Sequence, residues 1–179
     1  MSLWGASTTD ESKPKHLSDA EKRDCYADNT GWTVPAGGND NPAALRETLV
    51  TIGGLSGATN LVEASISSSR LVTTALGAAA GGDFSAEIIY NELVTVTGTP
   101  QVTVTSTGAN HTLDYASGSG TNRLTFTSTI AANAAAENDV LTLGANSVAL
   151  NGGTINDTGS GNAAVLTHGA GTGSVTVAA

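Results

Sequence analysis

The sequence predicts a mainly β chain. A C-terminal sandwich of short antiparallel strands follows a small N-terminal module with an extended arm, one short helix and a few strands. Three observations carry this expectation. From Glu47 onward, apolar and polar residues alternate in short runs rich in Val, Ile and Thr. After Gly82, turn-forming clusters recur about every 8–12 residues. Charged residues make up only 13% of the chain, about half of the roughly 25% usual for a soluble domain. Thr, Ser, Asn and 22 Gly take their place, a composition that favours strands and turns over helix.

Residues 1–17 have no periodicity and are read as an extended arm. Met1–Lys15 is small and polar apart from Leu3 and Trp4, and contains Pro14. Trp4 either tucks onto its own domain or anchors the arm in a neighbouring subunit, since a large aromatic suits a contact hot spot. Residues 18–76 form a small α+β assembly module. Its helix is expected over Asp19–Asp28, with Ser18 as N-cap, Glu21 completing a capping box, and Asp19 and Glu21 favoured in the first turn. Asn29 and Gly31 end it, and Trp32 is expected to pack over it near Cys25 and Tyr26. The segment Pro35–Pro42 is all turn formers. Strands are expected at Glu47–Leu55 and Leu61–Ile66, with Leu71–Leu76 a further candidate. Small, uncharged Gly77–Gly82 is read as a linker.

Residues 83–179 change character. Phe84, Ala86, Ile88 and Tyr90 share one face of a strand, and Leu93–Thr97 continues past a break at Asn91–Glu92. Gly98-Thr99-Pro100 and Gly118-Ser119-Gly120 turn the chain. Val102 and Val104, Leu113 and Tyr115, and Leu124 and Phe126 each alternate with polar neighbours. Val140–Leu143, Val148–Leu150, Ala164–Thr167 and Val175–Val177 complete the set. This half spans 97 positions, close to the roughly 100 of an immunoglobulin-type sandwich.

The net charge is −9 and is unevenly shared. Residues 1–82 hold six basic and nine acidic side chains, whereas 83–179 hold Arg123 alone against seven acids. Such a chain repels phosphate backbones, which argues against nucleic-acid binding. Cys25 is the single cysteine, so no internal disulfide can form. No run approaches the roughly 18 apolar residues of a membrane-spanning helix, and Met1–Asp10 lacks a signal-peptide pattern. The expectation is a chain made and assembled in a cytoplasm, with no membrane partner.

Little in the sequence points to catalysis. His16, His111 and His168 are far apart and none has a neighbour at metal-ligand spacing. His168, in Leu166–Gly169, reads as an exposed loop residue, and Cys25 as a small buried packing residue. Asp83, Glu92, Asp114, Glu137, Asp139 and Asp157 could contribute to a calcium site, but none clusters as a recognised loop does, so solvated turns are expected. The Gly-rich runs have no Lys near a helix start, so no phosphate loop is supported. Paired carboxylates for glycoside cleavage would need aromatic platforms that the core itself consumes. The expectation is a non-enzyme without cofactor or metal.

Three phrases carry a resemblance. Asn91–Val104 (NELVTVTGTPQVTV), Tyr115–Ile130 (YASGSGTNRLTFTSTI) and Val148–Ile155 (VALNGGTI) resemble the immunoglobulin- or cadherin-like repeat of bacterial surface adhesins. The likeness runs over most of residues 85–179 and implies an immunoglobulin-like sandwich. The repeat's acidic turn falls at Asn156–Asp157, and the tail beyond departs from the pattern. The opening MSLWG, then Pro14–Lys22 (PKHLSDAEK), Gly31–Val34 (GWTV) and Arg46–Val50 (RETLV), resemble small virion proteins of tailed bacteriophages, especially marine and cyanobacterial ones. That likeness covers roughly residues 1–70.

Together the resemblances imply a phage structural protein. The expected role is a capsid decoration or cement protein that binds the major capsid protein lattice and projects the sandwich outward. Leu3, Trp4 and Trp32 are the expected assembly contacts, and a trimer or a symmetric array the expected state. A neck, tail or fibre component is a second reading. A carbohydrate-binding adhesin module acting on the host surface is a third.

Overall fold

The computed structural model of the chain describes residues 24–28, 31–37, 43–51 and 63–179. The expected arm, with Leu3 and Trp4, lies outside the described residues, as does the first half of the expected helix. The described chain is mainly β, as the patterning predicts. It holds a three-stranded sheet and a nine-stranded one.

The small sheet comprises β1 (Tyr26–Asp28), β2 (Gly31–Val34) and β3 (Glu47–Thr51), antiparallel in that order. Tyr26–Asp28, expected as the last helical turn, are strand instead. A helix this short is marginal alone, and Asp28 pairs directly with Gly31, so hairpin pairing with β2 overrides the local propensity. Cys25, Tyr26, Trp32, Thr33 and Val34 are all buried. The Arg46 Nε–H donates to the Tyr26 hydroxyl at 3.0 Å, fastening the entry to β3 onto β1.

The large sheet is organised around one long strand. After β4 (Ile66–Leu71) and the short β5 (Leu76–Gly77) comes β6 (Gly82–Thr97), sixteen residues long. Its Phe84, Ala86, Ile88 and Tyr90 point inward, as the alternation predicts, and all four are fully buried. The expected break at Asn91–Glu92 is a bulge inside a continuous strand. Register shifts there between Ile89 and Val94. One edge of β6 pairs with β9 (Thr121–Ile130) along Gly82–Ile89 and again at Val94. The other carries β4 along Ala86–Tyr90 and then β11 (Thr154–Asp157) along Val94–Thr97. β7 (Gln101–Ser106), β8 (His111–Ser117), β10 (Val140–Ala149) and β12 (Ser174–Ala178) continue the order β11-β6-β9-β8-β7-β10-β12-β5. The two strands expected at Val140–Leu143 and Val148–Leu150 are one strand, β10, bulged between Leu143 and Val148.

Gly77–Gly82 is not a linker. Leu76–Gly77 pairs with β12, Gly82 begins β6, and the residues between form a tight turn closed by the Gly81 N–H on the Gly77 carbonyl at 2.9 Å. Gly81 has φ of +65°, and a Cβ there would strike the Ile130 carbonyl. Only glycine makes this turn cheaply. β4 and β5, which lie before residue 83, are thus strands of the same sheet as β6–β12. The sheet boundary does not fall at 77–82.

The sheet curls around a single core. Phe84, Ile88, Val102, Val104, Leu113, Leu124, Phe126, Leu141, Val175 and Val177 belong to it. Tyr115 packs edge-on against Phe126 with ring centroids 5.9 Å apart. A strap, residues 162–173, draws the curl closed between β4 and β10. Its Val165 and Thr172 bridge in parallel to Ser65 and Arg70, and its Gly171 N–H donates to the Leu143 carbonyl at 2.8 Å. Ala164–Thr167, expected as a strand, belongs to this strap.

Candidate assembly interface

The small sheet is fastened to the outer face of the large one at a polar joint. The register explains it. Arg70 on β4 stands opposite Glu87 on β6, and Arg123 on β9 stands opposite Ile89, two positions further along β6. Glu87, Ile89, Arg70 and Arg123 therefore share the face turned away from the core. The Arg70 guanidinium donates to Glu87 Oε2 through Nε at 2.9 Å and Nη2 at 2.8 Å. Arg123 Nη1 lies 3.8 Å from the same carboxylate oxygen, and its Nη2 donates to Asp24 Oδ1 at 2.9 Å. The result is a chain of alternating charge, Arg70–Glu87–Arg123–Asp24, running from β4 across β6 and β9 to the residue before Cys25.

Two further contacts complete the joint. The Asn122 amide donates to the Asp24 carbonyl at 3.4 Å and to the Tyr90 carbonyl at 3.3 Å. Ile89 is 2% exposed although it faces away from the core of the large sheet and takes no part in it. β1 is in contact with β6. The Asp24 and Arg123 side chains keep 9% and 24% of their exposure, so solvent screens their attraction less than at an open surface.

Of the expected contact residues, the structure describes only Trp32. It lies on β2 and is fully buried. Its ring is enclosed within the chain itself. The joint residues Asp24, Arg70, Glu87, Asn122 and Arg123 were not singled out from the sequence. One signal existed, because Arg123 is the single cation after Arg70 in an acidic half. Such a residue is rarely left in a strand without a carboxylate to meet.

The acidic residues weighed as calcium ligands are spread over β6, β8, β11 and the turn before β10, and Glu92 and Asp157 are buried where solvated turns were expected. Asp83 accepts from Thr129 Oγ1, Asp114 from the Gln101 amide, and Asp139 from Thr107 Oγ1 and the Ala136 N–H. Asp157 Oδ1 accepts from the Gly159 and Ser160 N–H groups at 2.6 and 2.8 Å, shaping its own loop. Among the described residues, no group of three or more His, Cys, Asp or Glu is placed to hold a metal ion. Cys25 is buried, as expected. His168 departs from expectation: it is half-buried and hydrogen-bonded through both ring nitrogens.

No family model matches the chain. No curated protein and no solved structure matches it either.

Proposed function

We propose that the chain is a virion structural protein of a tailed phage, acting as a capsid decoration protein. In this reading its N-terminal residues bind the major capsid protein lattice. The β body, which by its resemblance to adhesin repeats would be immunoglobulin-like, projects outward. The observation that supports the reading most is the joint. Asp24, where the described chain begins, is held by Arg123 and Asn122 against the wall of the β body. An arm that grips a shell would then deliver the body in one fixed orientation. Repetition over a symmetric lattice turns weak single contacts into firm attachment.

Deleting residues 1–17 from the full chain tests it. Binding to undecorated shells is measured by co-sedimentation, with circular dichroism and thermal melting as the folding control. The proposal expects binding to be lost while the melt is retained. Undiminished occupancy with the arm removed would overturn the assignment of binding to it.

A further inference from the structure

The strap that closes the sheet is stitched through one histidine. The Ser147 N–H donates to His168 Nε2 at 3.0 Å, with the Ser147 hydroxyl 3.2 Å from the same nitrogen. Nε2 is therefore the acceptor, and the ring proton sits on Nδ1, which donates to the Gly169 carbonyl at 2.6 Å. Ser69 Oγ of β4 stands 3.4 Å from Nδ1. The backbone adds two bonds, from His168 N–H to Asn146 Oδ1 at 2.9 Å and from Asn146 N–H to the His168 carbonyl at 3.1 Å. His168 thus ties the strap to the β10 bulge on one side and reaches β4 on the other. Asn146, at φ of +53°, is held in that bulge by the same contacts.

Elsewhere the seam is thin. Between the Val165 N–H on the Ala64 carbonyl and the Thr172 N–H on the Ser69 carbonyl, no backbone bond joins the strap to β4 among the described residues. A groove of about 210 Å³ opens there, lined by Ile66, Ser67, Ser68, Ser69 and strap residues 168–170 and 172. No described charged side chain lines it. Arg70, next to Ser69, points to the opposite face and is engaged with Glu87. His168 is the single titratable residue of the strap, and β10 has none from Gly144 to Ala149.

We propose that this seam is a proton-operated latch. Neutral His168 holds the strap shut. An imidazolium has no acceptor, so on protonation the Ser147 N–H faces a second N–H and no carboxylate compensates the charge. The strap then lifts from β10 and β4 while the β6–β9 wall stays folded, uncovering the unpaired edge of β4 at Ser67–Ser68. The proposal is independent of the assembly role.

Hydrogen exchange read by mass spectrometry on the full chain, at pH 7.5 and 5.5 and corrected for the intrinsic rate, tests it. Peptides from 162–173 and 143–149 should lose protection at the lower pH by roughly tenfold, the scale of one buried hydrogen bond. Peptides from β7–β9 should change little. In His168→Gln, which keeps an acceptor and does not titrate, the difference should vanish, whereas His111→Gln should retain it. Should His168→Gln fail to fold, NMR of the unaltered chain decides the matter, because the His168 ring and the strap amides must titrate with one midpoint. Separate midpoints, or equal loosening in His168→Gln, would overturn the latch.

Discussion

Replacing Arg123 with Met removes the guanidinium that joins Asp24 to Glu87 and keeps most of the aliphatic stem. An exposed ion pair contributes about 0.2–1 kcal/mol, while breaking a buried one costs about 3–5 kcal/mol. Here the two side chains retain 24% and 9% exposure, which places the loss between the two, at about 2 kcal/mol. For a chain of this length that lowers Tm by roughly 4–8 °C. The assay is urea denaturation of Arg123→Met, Asp24→Asn and the double variant. Residues in direct contact should show a coupling of about 1 kcal/mol or more. Arg70→Met, whose side chain is 34% exposed, should cost less than Arg123→Met, because it leaves Asp24 untouched. Hydrogen exchange should show the extra loss of protection at β1 rather than at β8. Additive single effects, within about 0.3 kcal/mol, would refute the claim that Arg123 and Asp24 form the joint.

Two other predictions concern single residues. Gly81→Ala should destabilise by about 3 kcal/mol or more, because it adds a clash with the Ile130 carbonyl to a left-handed backbone. Gly120→Ala has φ of +83° but nothing within 4 Å, so it should cost only about 1 kcal/mol, as thermal melts would show. Tyr90→Phe should be neutral or stabilising by up to about 1 kcal/mol, since its buried hydroxyl finds no partner among the described residues. Burial also pushes the ionisation of Tyr90 well above the usual phenol range. The unfolded chain ionises first, so this residue's share of stability is full below about pH 10 and falls as pH rises. Comparing urea midpoints at pH 9 and 11 should show a smaller loss in Tyr90→Phe than in the unaltered chain.

The parts of the fold that could be read from sequence are those whose signal is local. Phe84, Ala86, Ile88 and Tyr90 alternate because one face of β6 meets the core, and Gly98–Pro100 and Gly118–Gly120 turn the chain wherever they occur. What escaped was set by pairing and tertiary contacts that local composition does not carry, most of them distant in sequence. The β4 serines carry no strand signature, and their strand exists because β6 offers an edge at Ala86–Tyr90. Tyr26–Asp28 follow a well-capped helical pattern, yet pairing with Gly31–Val34 wins. Gly77–Gly82 has the composition of a linker and the geometry of a turn, and composition cannot separate the two. The joint was half legible in the lone Arg123. Its partner Asp24 lies 99 residues away and gave no sign. His168 looked solitary for the same reason, since Ser147 and Ser69 reach it only through the curl of the sheet.

This topology also changes how the β body should be handled. Residues 83–179 alone omit β4 and β5, so a fragment meant for glycan screening should begin no later than residue 63. Such a screen separates an adhesin role from a structural one, because a strong specific signal would favour the former.

The most direct test of the proposed role is the quantitative protein inventory, by mass spectrometry, of virions that carry this chain. Decoration of a shell predicts copies in proportion to the major capsid protein, on the order of hundreds per particle. About a dozen or fewer would place the chain at a neck, tail or fibre, and its absence from purified particles would contradict a virion role altogether.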